Sequence, residues 1–157
     1  MRTICFLFAF FFFQQLKAQT IQVTGEVTKK LTLTKEDLAK MNRTTVTAKD
    51  KDGKDHTYKG VAIAEILTQA GVTTGAQLRG ENLSKYLLVT CADGYAVVFS
   101  LAELDAAFTD KVVILADESD GQPLPADRGP WRIVVPGEKK PARSCYRVTT
   151  LNVGVAK

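Results

Sequence analysis

The sequence predicts a single α+β domain of mixed β-sheets, hairpins and short helices. Three observations carry that prediction. Segments rich in β-branched residues recur between glycine- and aspartate-bearing turns. Helical stripes are present but brief. No internal repeat, low-complexity tract or long linker divides the 157 residues.

Taken in order, Ile21, Val23, Gly25 and Val27 alternate with polar residues, the pattern of a half-exposed strand. Thr34 is followed three residues later by Asp37, a capping-box spacing that predicts a short helix through Met41. Arg43 to Ala48 returns to strand, and Asp50-Lys51-Asp52-Gly53 reads as a solvated hairpin turn leading to His56-Thr57-Tyr58. Its closely spaced aspartates lack the ligand order and distal glutamate of a calcium loop. Val61, Ile63, Ile66 and Leu67 form a helical stripe up to Ala70, with Gly71 placed to end it. Tyr86 to Cys91, the turn Ala92-Asp93-Gly94 and Tyr95 to Phe99 predict a hairpin. Ser100 and Glu103 repeat the capping-box spacing and predict another short helix. Lys111 to Asp117 is apolar enough to be a central strand, and Trp131 to Val135 and Tyr146 to Val155 complete the set.

Residues 1–18 read as a signal peptide and 20–157 as the domain. Arg2 gives a positive start, Ile4 to Phe13 is an unbroken apolar run, and Ala18 offers a small residue for cleavage. The run is about half of the roughly 20 residues that cross a bilayer. The expectation is an exported protein, periplasmic or secreted, with no membrane association after cleavage. Of 21 Lys and Arg, Arg2 and Lys17 leave with the signal, so 19 face 17 Asp and Glu. A net charge of +2, with signs mixed along the chain, gives no support for nucleic-acid binding. Cys5 also leaves. Cys91 and Cys145 then stand as a disulfide or as two buried thiols, and sequence does not decide between them. A monomer is expected.

The residues exclude several chemistries. One histidine and two scattered cysteines make no conventional zinc cluster, so no metal ligands are assigned. There is no nucleophile elbow, phosphate-cradling glycine loop or dinucleotide fingerprint. His56, beside a hairpin turn, reads as a surface residue. Positive side chains gather instead near the carboxyl end, at Arg128, Arg132, Lys139, Lys140, Arg143 and Arg147. Glycine and proline in Arg128-Gly-Pro-Trp-Arg132 fix the loop backbone, and guanidinium groups supply planar donors for phosphate or another anion. Arg128, Arg132, Lys139 and Arg143 are therefore the candidate binding residues. Tyr95 follows the Asp93-Gly94 turn, where its phenol can donate into a pocket.

These segments resemble the molybdopterin-binding domain of the sulfite oxidase family. Tyr58-Lys-Gly-Val-Ala-Ile-Ala-Glu-Ile-Leu67, Tyr95-Ala-Val-Val-Phe-Ser-Leu101, Asp120-Gly-Gln-Pro-Leu-Pro125 and Arg128-Gly-Pro-Trp-Arg-Ile-Val-Val-Pro-Gly137 follow the family's order and approximate spacing. The resemblance spans about residues 24 to 153. It implies an α+β fold, a pterin cofactor held by polar and basic groups, and oxidation or reduction of small oxoanions or sulfoxides at molybdenum. It implies that Tyr95 is the active-site tyrosine, that Arg132 contacts the pterin phosphate, that Arg128 replaces a histidine of the same pocket, and that Arg143 lies near a family lysine.

One departure bears on the metal. The family's molybdenum-ligating cysteine lies on the strand before Tyr58, and here Thr44 to Lys49 contains none, with Ala48 or a neighbour in its place. A soft thiolate has no substitute in alanine or threonine. The favoured reading is an exported, non-catalytic binding module, meeting a small anionic ligand or a redox partner protein. The alternatives are a molybdopterin-dependent oxidoreductase with an altered ligand set, and an interaction domain whose pocket has closed.

Overall fold

A computed structural model describes residues 19–156, so the signal-peptide expectation falls outside the described residues. Ten strands and two short helices follow one another as β1 (Ile21–Gly25), β2 (Leu31–Leu33), α1 (Lys35–Ala39), β3 (Arg43–Lys49), β4 (Asp55–Ala62), α2 (Ile63–Gln69), β5 (Lys85–Cys91), β6 (Ala96–Ser100), β7 (Ile114–Ser119), β8 (Gln122–Pro123), β9 (Arg132–Val134) and β10 (Val148–Val155). The α+β expectation holds.

The strands form two five-stranded sheets. The first has the order β2-β1-β10-β5-β6, with β1 and β10 parallel and the other neighbours antiparallel. In the second, β4 lies between β3 and β7, while β8 and β9 pair with successive parts of β7. Alternation decides which residues face inward. Ile21 and Val23, Leu87 and Val89, Leu151 and Val153 are all fully or almost fully buried in one apolar core. Ile63, Ile66 and Leu67 of α2 and Ile133 of β9 join that core. A smaller cluster gathers Ala48, Tyr58, Ile114, Ala116 and Val134. Because successive side chains of a strand point to opposite faces, Ile133 serves the first core while Arg132 and Val134 serve the other side.

The local signals explain where elements begin and end. The Thr34 hydroxyl accepts from the Asp37 N–H at 3.2 Å, and the Thr34 N–H donates to the Asp37 carboxylate at 3.0 Å, so the capping box forms. Gly71 follows α2 at φ +69°, and an added Cβ would meet the Thr28 side chain at 2.7 Å. Between Ser100 and Glu103 both reciprocal bonds also form, at 2.8 and 3.2 Å. There the expected helix shrinks to a single 3-10 turn, Ala102–Leu104.

Strand pairing moves two boundaries from their expected places. β4 continues to Ala62, so the helix starts at Ile63 rather than Val61. β7 begins at Ile114 because that residue pairs with Ala62, leaving Lys111 to Val113 ahead of the ladder. The register then shifts between Lys59 and Gly60, where a Cβ on Gly60 would lie 2.1 Å from the Leu115 carbonyl oxygen.

Candidate functional site

The candidate site is assembled from the β3–β4 turn, β9 with the loop preceding it, and the segment between β9 and β10. The sequence offers Asp50 as a turn residue. The structure instead buries it, at 7% exposure, among the aromatic and guanidinium groups brought in by β4, β9 and Tyr146. This corrects the reading of the turn as solvated: Asp52 and Gly53 are exposed, but Asp50 faces inward.

Four donors converge on the Asp50 carboxylate. Arg132 Nη1 donates to Oδ2 at 3.0 Å and the Tyr58 hydroxyl to the same oxygen at 2.8 Å. Oδ1 accepts from the Tyr146 hydroxyl at 3.0 Å and from the Lys51 N–H at 2.8 Å. Burial alone would raise the Asp50 pKa. The hydrogen bonds from Arg132, Lys51 and Tyr58 outweigh it and hold the carboxyl well below its usual range. Burial in the same cluster, helped by the bond to Asp50 and opposed by the Arg132 charge, pushes Tyr58 up to about 12. Asp50 is thus an anion and Tyr58 a neutral donor near neutral pH.

Arg132 is 2% exposed. Its guanidinium also donates to the Tyr58 oxygen at 3.0 Å and the Ser144 carbonyl at 3.4 Å, and lies 4.7 and 4.3 Å from the Tyr58 and Tyr146 ring centres. Only Nε lacks a partner, and that atom is buried. Arg132 is therefore enclosed by protein and neutralised by Asp50.

The other expected residues are placed differently. Arg128 is half exposed and touches Asp50 at 3.7 Å and Asp127 at 4.0 Å, both at the outer limit of an ion pair. Arg143 is held by Glu138, with which it pairs twice, by Glu103 at 3.0 Å, and by the Val98 carbonyl at 3.3 Å, and it stacks on Phe99. Lys139 lies apart, in an open groove with Thr47, Lys49 and Asp55. Tyr95 is half exposed, and its hydroxyl donates to the Ala142 carbonyl at 3.0 Å. Arg128 and Arg132 are thus brought to one carboxylate, while Lys139 and Arg143 belong to other surroundings.

A pocket of about 270 Å³ opens beside this cluster, lined by Lys51, Asp93, Tyr95, Tyr146, Cys91 and Cys145 among others. Lys51 is a residue that sequence reading passed over. Its ammonium lies 5.2 Å from the Tyr146 ring centre, and the Arg128 guanidinium lies 5.6 Å from the same ring. Its place in an exposed turn gave no signal, because only the inward turn of Asp50 brings it to the pocket. Both cysteines are free and buried. His56 bridges two carboxylates, Asp120 at 2.6 Å and Asp52 at 3.0 Å, so it clamps a hairpin to the β7–β8 turn.

A molybdopterin would require a thiolate and free phosphate-binding donors. Along β3 Ala48 is the one buried residue, 4% exposed and packed in the apolar cluster with Tyr58 and Val134, with Val46 packed against the same cluster. Arg132 and Arg143 have their guanidinium groups engaged by carboxylates. Among the described residues no group of three or more His, Cys, Asp or Glu is arranged to hold a metal. The residues present do not fit the metal-bearing cofactor.

Comparison with known proteins places this arrangement. The family model described as the oxidoreductase molybdopterin binding domain matches residues 49–152. No curated protein matches the sequence. Among solved structures, the fold is similar to that in the crystal structure of the sulfane dehydrogenase SoxCD from Paracoccus pantotrophus. The TM-score is 0.68 at 24% identity, over 86% of this chain and 38% of that one. The chain thus spans about two fifths of that structure's length, and the likeness is one of fold.

Proposed function

The chain belongs to the oxidoreductase molybdopterin binding domain family, and from that premise we propose that it is an exported, non-catalytic binding module for a small anion. The observation that carries this reading is the inward position of Ala48 on β3: the resemblance calls for a thiolate at Ala48 or a neighbour, and the structure has a packed methyl group there. A metal held by the family's means has no ligand there. The family scaffold remains without the donor that makes it a redox centre.

The anion site we assign lies around the Tyr146 ring, between Lys51, which lines the pocket, and Arg128, 5.2 and 5.6 Å from the ring centre respectively. These cations keep unengaged donors, whereas Arg132 beneath them has been spent on Asp50. Arg132 acts here by fixing Tyr146 and Asp50, not by touching the ligand. Carboxylates at Asp93 and Asp127 lie close to the same groups, so affinity is modest and falls with salt.

Two measurements test the proposal. Protein produced in a cofactor-competent host is expected to carry no stoichiometric molybdenum on metal analysis; a stoichiometric metal content would overturn the non-catalytic reading. Inorganic phosphate titrated into the protein and followed by NMR is expected to shift Lys51, Arg128 and Tyr146 resonances saturably at low salt. Loss of those shifts in Arg128→Ala supports the assigned site, and unchanged shifts in that variant reject it.

A further inference from the structure

The same pocket holds two thiols that the anion reading does not use. Cys91 ends β5 and Cys145 precedes β10. The Ala92 N–H donates to the Arg147 carbonyl at 2.9 Å, and Cys91 stands opposite Val148 in the ladder, so the backbone fixes the two segments side by side. Cys145 is pinned as well, its carbonyl accepting from the Ile133 N–H at 2.9 Å. Both side chains are at most 4% exposed, and both line the one pocket. Both thiols belong to the main apolar core and also line the pocket, so they stand where core and cavity meet.

We propose that Cys91 and Cys145 are a redox-active pair, converted to a disulfide by small-molecule disulfides that enter the pocket. Interaction with Cys91, then burial, raises Cys145, which keeps its proton; interaction with Cys145 favours the ionised form of Cys91. Cys91 is therefore the attacking thiol. Its sulfur bonds to one sulfur of the oxidant and expels the first thiolate. Cys145 then loses its proton and attacks the Cys91 sulfur, forming the protein disulfide and expelling the second thiolate. The protein gives up two electrons, and the two protons end on the two released thiols. The Tyr95 hydroxyl bond to Ala142 ties the β5–β6 turn to the segment bearing Pro141–Arg143 in the wall of the same pocket.

The experiment treats the purified protein with oxidised glutathione, then denatures it, alkylates the remaining thiols and maps peptides, which separates Cys5 from the pair. The expected product is a Cys91–Cys145 cross-linked peptide that dithiothreitol reverses. Closing the loop between residues 91 and 145 is expected to raise Tm by roughly 10 °C in the oxidised form. In Cys145→Ser the glutathione adduct should stay on Cys91. Two thiols that both remain alkylatable, intermolecular dimers, or a stable glutathione adduct on the unsubstituted protein would each overturn the proposal. The wild-type measurement stands by itself if the variant does not fold, and it is independent of phosphate binding.

Discussion

Arg132 and Arg143 are eleven positions apart and each pairs with carboxylate, yet they perform different tasks. Arg132 is enclosed by two tyrosine rings and meets Asp50 where almost no water reaches. Arg143 spans Glu138 and Glu103 at about a third exposure. Removing a buried partner strands a charge, whereas water re-solvates the exposed one. The two arginines therefore look alike in sequence and differ in what the fold demands of them.

The sharpest break of that comparison is Arg132→Ala. It leaves Asp50 and Tyr58 without their shared donor, and a loss of about 3 kcal/mol in chemical denaturation is expected, at the lower end for a broken buried pair because Arg128 stands near enough to compensate in part. Arg143→Ala should cost about 1 kcal/mol or less, reduced further by salt. An equal loss from both variants would show that burial is not what separates them. The smallest effect belongs to His56. The bonds to Asp120 and then Asp52 raise its pKa, so its contribution is complete below the unfolded value of about 6.5 and is lost as pH rises through the higher folded value. Stability measured across that window should decline slightly in the natural protein and not in His56→Ala.

Much of the fold was legible because local chemistry and tertiary structure agree. The Thr34–Asp37 capping box, the Gly71 stop and the Asp93-Gly94 hairpin each work with atoms a few residues apart. Even the Ser100–Glu103 bonds formed, although one 3-10 turn replaced the helix they usually open. The site was legible only in part. Arg128 and Arg132 were singled out by their glycine- and proline-bearing loop, but the partner that defines them, Asp50, lies more than seventy positions upstream in a turn whose composition signals solvent. Long-range pairing of opposite charges leaves no periodic trace in a single sequence. The meeting of Cys91 and Cys145 has the same character, since it depends on the registers of β5 and β10 rather than on either segment's composition.

The order β2-β1-β10-β5-β6 carries a consequence for how the chain becomes a protein. The last of the described strands is the keystone of the first sheet: without Val148–Val155, the strands on either side of it are two separate ribbons, each too small to persist in water. Nothing earlier in the chain can complete the main core, which needs Leu151 and Val153 to close it. Closure of the main core is thereby tied to one long-range event: the joining of two ribbons that lie more than fifty residues apart by a strand that follows both.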